Sequence, residues 1–163
     1  MKGLAFGAAV AVLATLVGLA APKGQATARK LACGTDRWTV KTLQDRPHLL
    51  PNQVRTVKWL VHRPPPAHRT ETRMAFEYHV FTVVAQVIAV HLEGDSDYHI
   101  LLKEHGWPMI AESPAPDCTA GAKLYYRNRM AQARQAVRVC GQARITGVAF
   151  FDTEHGQPGV APN

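Results

Sequence analysis

The sequence predicts a mainly β fold with one helix: an OB-fold-like small barrel in the order β-β-β-α-β, lacking its closing strand. Three observations predict it. Residues 76–112 hold three segments rich in β-branched and apolar residues, separated by turns short enough to enforce antiparallel neighbours. Residues 122–137 carry apolar side chains at helical spacing. Residues 143–151 return to a strand pattern, which completes the order of an OB-fold up to its last strand.

The chain opens with Met1-Lys2-Gly3 and an uncharged apolar run from Leu4 to Ala21, followed by Ala26-Thr27-Ala28. That is the charged, apolar and small-x-small order of a secretory signal peptide, with the cut after Ala28 or, as an earlier alternative, at Gly18-Leu19-Ala20. The run is rich in Ala and Gly, so it makes a weak membrane anchor. Lys30 breaks the apolar position a lipobox needs before Cys33. Cleavage after Ala28 leaves 135 residues, one domain's worth, and lowers the net charge from +7 to about +5 through loss of Lys2 and Lys23. The expected compartment is secreted, periplasmic or cell-envelope, with no membrane span remaining after signal cleavage.

Residues 29–75 read as an N-terminal extension and 76–163 as the barrel domain. Trp38 to Leu43 alternates as a strand does, and Gln44 to Asn52 is loop. Val54 to Val61 fits a helix or a strand equally well. Pro64-Pro65-Pro66 makes a stiff, extended connector. Phe76 to Val90 is then the strongest element, a long strand buried on both sides for part of its length, with Phe76, Tyr78, Val80, Thr82, Val84, Gln86, Ile88 and Val90 on one face. Glu93 to Asp97 turns, Tyr98 to Lys103 is the second strand, Glu104 to Trp107 turns again, and Met109 to Glu112 is the third. Ala122 to Val137 is the helix, its stripe formed by Tyr126, Met130, Ala133 and Val137, with Gly141 suited to its exit. Ala143 to Phe151 is the fourth strand. The barrel either closes with the segment around Trp38 to Leu43 or stays open at one edge.

Cys33, Cys118 and Cys140 all lie beyond the cleavage point, in an oxidising compartment, so one disulfide and one spare thiol are expected. Cys33 and Cys118 sit in loop sequence where two backbones can approach, which makes them the pair. Cys140 is the free thiol. No Cys/His spacing suits structural zinc, and no nucleophile elbow, P-loop or dinucleotide fingerprint occurs.

Two constellations could carry chemistry. In Asp95-x-Asp97-x-His99 the side chains can share one face at a strand end, bringing two carboxylates and an imidazole to one cation or one water. The same residues also make ordinary turn chemistry, because Asp bonds its own backbone two residues on. Asp152 with His155 follows the fourth strand, where a carboxylate can orient an imidazole. A divalent metal is the cofactor these groups would take, although nothing in the sequence demands one. The positive balance points to nucleic acid or another polyanion as partner, with Arg127, Arg129, Arg134 and Arg144 as contacts and Trp107, Tyr125, Tyr126 and Phe150 as stacking platforms. The basic residues are spread along the chain, so the charge also serves plain solubility.

Several strings resemble a family of small secreted bacterial proteins of unknown function. They are Trp38-x-Val40-Lys41-Thr42-Leu43-x-Asp45, Asp95-x-Asp97-Tyr98-His99, Met109-Ile110-Ala111-Glu112, Pro116-x-Cys118, and the long string from Gly147-Val148-x-Phe150-Phe151-Asp152-x-x-His155-Gly156-Gln157 to Gly159-Val160-Ala161-Pro162-Asn163. The similarity covers nearly all of the mature chain. It implies a member shortened at its C-terminus, because the family continues with an Ile-Glu-Leu-His-Pro-Val segment that would supply the fifth strand. It also supports the Cys33–Cys118 pair, and it implies no activity. The functional expectation is therefore a non-enzymatic binding module for nucleic acid or another polyanion. The alternatives are a metal-dependent nuclease or phosphoesterase and a cell-envelope structural or interaction protein.

Overall fold

The computed structural model of the chain describes residues 32–152. The signal-peptide segment and His155 lie outside them. The described residues form α1 (Trp38–Lys41), β1 (Gln53–Val54), α2 (Val57–Val61), β2 (Val80–Leu92), β3 (Tyr98–Glu104), β4 (Trp107–Ser113), α3 (Leu124–Ala136) and β5 (Cys140–Val148), with single 3-10 turns at Ala75–Tyr78 and Pro116–Thr119. The architecture is mainly β: one five-stranded mixed sheet with helices packed on it.

The thirteen-residue β2 organises this sheet. Its first half pairs antiparallel with β5, from Val80 opposite Val148 to Val87 opposite Cys140, and parallel with the two residues of β1. Its second half pairs antiparallel with β3, from Gln86 opposite Lys103 to Leu92 opposite Tyr98. Register shifts fall at Ala85/Val87 on one side and Val87/Ala89 on the other, so the strand bends where it changes partners. β3 and β4 form a hairpin through His105 and Gly106, both at positive φ (46° and 90°), the pair of left-handed residues that a two-residue turn requires. β4 and β5 do not pair with each other, and the sheet of the described residues is not closed into a barrel.

The core lies between one face of the sheet and α2. Val57 and Val61 meet Val83, Ala85 and Val87 of β2 and Ile100 and Leu102 of β3. The buried face of β2 is thus the odd-numbered one, Phe81 to Val87. The other face buries Thr82, so the strand is buried on both sides around Phe81 to Val83 as expected, but it leaves Gln86 and Ile88 exposed. Among the described residues no helix is long and apolar enough to cross a membrane.

Four local expectations are corrected and one ambiguity is resolved. Trp38 to Leu43 holds helix α1 instead of a strand: Val40 and Leu43, three residues apart, are both buried, and the Thr42 hydroxyl donates back to the Trp38 carbonyl at 2.6 Å. Val54 to Val61 resolves into a two-residue strand and a helix, because the Thr56 hydroxyl accepts the Trp59 N–H at the helix start. The long strand begins at Val80 rather than Phe76, since the preceding residues close a 3-10 turn around Glu77. Helix α3 forms as expected but buries none of its residues. It is held by Arg134, which stacks over the Tyr98 ring at 3.8 Å and donates to the carbonyls of Ser96 (2.9 Å) and Ser113. Gly141, expected at its exit, lies inside β5. The disulfide is the expected one, Cys33–Cys118, and Cys140 is a half-buried free thiol.

Candidate functional site

A cleft of about 320 Å³ opens where α1 covers the ends of β3 and β4. Cross-strand register builds its floor: His99 lies directly opposite Glu112, and both are on the face turned away from Ile100 and the core. The imidazole Nε2 is 2.8 Å from Glu112 Oε1, and Nδ1 is 3.6 Å from Glu93 Oε1 in the turn above. Asp95, Asp36, Asp152 and Trp38 line the remaining walls. The Asp95 Oδ1 atom accepts the Asp97 N–H at 3.1 Å, so the turn chemistry read from the sequence is present as well.

Lys41 enters this cleft from α1. Its ammonium is 2.7 Å from Glu112 Oε2, 3.0 Å from Asp97 Oδ2 and 4.0 Å from Asp95 Oδ2. Two other contacts hold the helix so that Lys41 points there. The Arg37 guanidinium grips Glu77 in a bidentate pair (2.7 and 2.6 Å) and donates to the carbonyls of Thr70, Thr72 and Phe151. Arg73 does the same for Asp45 and for the carbonyls of Glu77 and Val40. The disulfide adds a third tether, with the Trp38 indole N–H donating to the Cys118 carbonyl at 3.2 Å. Gly34 lies so close to the Trp38 ring that a Cβ would sit 2.5 Å from it.

The electrostatics follow from one cation serving two buried anions. Burial pushes both the Asp97 and Glu112 carboxyls above the ordinary carboxylate range, and Lys41 only partly offsets that. Asp152 adds to the rise at Glu112, and His99 opposes it. Burial alone would lower Lys41, but the two carboxylates outweigh it and hold the ammonium above its usual value. Lys41 is therefore charged throughout the physiological range. Among the described residues no group of three or more His, Cys, Asp or Glu side chains is arranged to hold a metal ion. The position between Asp97 and Glu112 belongs to the lysine ammonium instead.

The predicted residues Asp95, His99 and Asp152 thus meet at one cleft, with Asp97 buried beneath it and His155 outside the described residues. Lys41, Glu112 and Trp38 were not singled out as site residues. All three stand in the strings that carried the family resemblance, the only signal that marked them.

A second constellation lies on α2. Arg55, Trp59 and Arg63 recur at four-residue spacing, Trp59 within the helix and the two arginines on its flanks. The Arg63 and Arg55 guanidinium carbons lie 4.1 and 4.9 Å from the Trp59 ring centre. Beside them the Lys58 ammonium is 5.4 Å from the centre of the Trp107 ring, and His62 meets that ring edge-on at 4.6 Å. The basic contacts expected from the sequence, Arg127, Arg129, Arg134 and Arg144, lie on α3 and β5. Of those, Arg134 is engaged in holding α3. The chain matches no family model, no curated protein and no solved structure.

Proposed function

We propose that the chain is an exported, non-enzymatic binding module of OB type that takes nucleic acid or another polyanion on the face of α2. The observation that carries this reading is the concentration of Arg55, Lys58 and Arg63, with His62, around two indole rings on one five-residue helix and its flanks. Guanidinium groups held against aromatic rings lose little freedom when they meet a phosphate, which favours binding. The cleft is the wrong place for a polyanion, because five carboxylates line it against one lysine. The OB assignment is supported by the pairing of β2 with both β3 and β5, the strand after the helix. Export is supported by the disulfide.

The test is fluorescence anisotropy with a labelled single strand of about 20 nucleotides. Three neutralised phosphates give a slope of roughly −2 in log affinity against log salt, so raising salt from 50 to 200 mM weakens binding roughly 20-fold. Replacing Arg55 and Arg63 by Ala reduces the slope to roughly −0.7. Absence of binding at 50 mM salt, or a slope indifferent to the double substitution, would refute the assignment.

One observation favours a second reading, a hydrolase working by acid–base chemistry: Glu112, pushed up by burial, sits within hydrogen-bond distance of His99 in a cleft also lined by Asp95 and Asp152. Turnover of chromogenic phosphodiesters or glycosides, lost in Glu112→Gln, would support it. A wild-type protein that turns over none of them removes it.

A further inference from the structure

Resting on the polyanion reading of the α2 face, we infer that this face recognises the sugar–phosphate backbone of a nucleic acid strand and leaves the bases unread. Base recognition in single-strand binders needs aromatic faces open to stacking. On this surface both indoles are already engaged. Trp59 has two guanidiniums within 5 Å of its centre, and Phe81 and Phe76 lie at 5.6 and 6.4 Å from it. Trp107 has the Lys58 ammonium over it and the His62 ring against it.

Of the other aromatic rings expected as platforms, Phe150 and Tyr126 are half-buried and only Tyr125 is exposed. Phe150 carries the Arg37 guanidinium at 5.1 Å, and Arg37 is locked to Glu77. Tyr125 and Tyr126 pack edge-on to each other at 5.2 Å on α3, not on α2, with the Arg129 guanidinium 5.9 Å from the Tyr125 ring. The sheet face opposite the core exposes Gln86, Ile88, Lys103, Arg144 and Thr146, with no aromatic side chain among them. What α2 and its C-cap expose is Lys58 and His62, with Arg55 and Arg63 half-buried on the flanks. Arg55 is oriented by Gln53 Oε1 (2.6 Å) and the Val54 carbonyl (2.9 Å), and Arg63 by the indole beneath it. Such preset forks fit phosphate oxygens and carry no base-edge readout.

The experiment compares wild-type protein on two labelled strands of equal length at 50 mM salt, one of ordinary mixed sequence and one in which every base is replaced by an abasic sugar. Binding of the two strands within about twofold is expected, since the backbone charge is the same. A single stacked base is worth roughly 5- to 150-fold in affinity, so an abasic strand that binds ten times more weakly overturns the inference while the polyanion reading stands. If neither strand binds, both fall. A Trp59→Leu variant gives an independent readout: it weakens both strands equally if the indole only orients guanidiniums. Loss confined to the base-bearing strand marks Trp59 as a stacking platform and overturns the inference.

Discussion

Replacing Lys41 with Met removes the ammonium while keeping most of the apolar stem, and leaves Asp97 and Glu112 without the cation that bridges them. Their side chains are 0% and 12% exposed, so water compensates little. At an effective dielectric of about 20, unit charges 3.0 and 2.7 Å apart attract by about 5.5 and 6 kcal/mol. Desolvation of the three groups cancels much of that, and breaking such a buried arrangement by removing one partner costs about 3–5 kcal/mol. The loss depends on pH with a definite sign. Both carboxyls already titrate above their unfolded values of 3.8 and 4.5, and without Lys41 they rise further. A folded state that binds protons more tightly than the unfolded chain is stabilised at low pH and loses that stability as pH rises through the folded value. Urea unfolding of wild type and Lys41→Met at pH 4 and pH 7.5 should therefore show a gap of about 3–5 kcal/mol at the higher pH that shrinks below about 1.5 kcal/mol at the lower. A gap that is the same at both pH values, or smaller than about 1 kcal/mol at pH 7.5, would refute the claim that Lys41 compensates buried charge.

Other perturbations test other parts of the structure. Glu77→Gln strands the Arg37 guanidinium, 3% exposed, and should cost about 3–5 kcal/mol in denaturant titrations at neutral pH. Arg37 and the Met74 and Phe151 N–H groups outweigh burial to hold Glu77 below its ordinary value of 4.5, so its contribution is present above that value and lost as pH falls below it. Wild-type stability should accordingly drop more steeply in acid than that of the Gln variant. Replacing Cys33 and Cys118 by Ala opens a cross-link spanning 85 residues and should lower stability by about 4.6 kcal/mol; reductant should shift wild-type unfolding and leave the double variant unmoved. Leu102→Ala, at a fully buried position between α2 and the sheet, should cost about 2–5 kcal/mol in the same assay, and a smaller loss would mean that the core collapses around the gap.

Much of the sheet was legible because strand signals are local. β3, β4 and β5 were anticipated to within a few residues, and the His105-Gly106 turn that joins β3 to β4 lies in sequence between them. The errors share a cause. Four residues of α1 show the same apolar alternation a strand would, and only the docking of Val40 and Leu43 on the rest of the molecule decides for a helix. Helix α3 has an apolar stripe in sequence, yet Arg134 holds it, and nothing local to residues 124–136 announces that Tyr98, Ser96 and Ser113 will be its partners. Of the site, the turn Asp95 to Asp97 and the residue His99 could be named beforehand because they are adjacent. Lys41 and Glu112 could not, since the contact between them spans 71 positions of chain.

By itself, then, the sequence determined what depends on neighbours along the chain: the antiparallel strand order, the single helix between the last two strands, the acidic turn, and the cysteines free to pair. The tertiary structure alone decided what depends on long-range approach. It set Lys41 between Asp97 and Glu112, where a cation is needed because two buried carboxylates repel each other in a medium that screens them poorly. It also turned an ambiguous segment into α2, gathering Arg55, Lys58 and Arg63 around two indoles, because Val57 and Val61 gain more from the shared core as one helical face than as a strand at its edge.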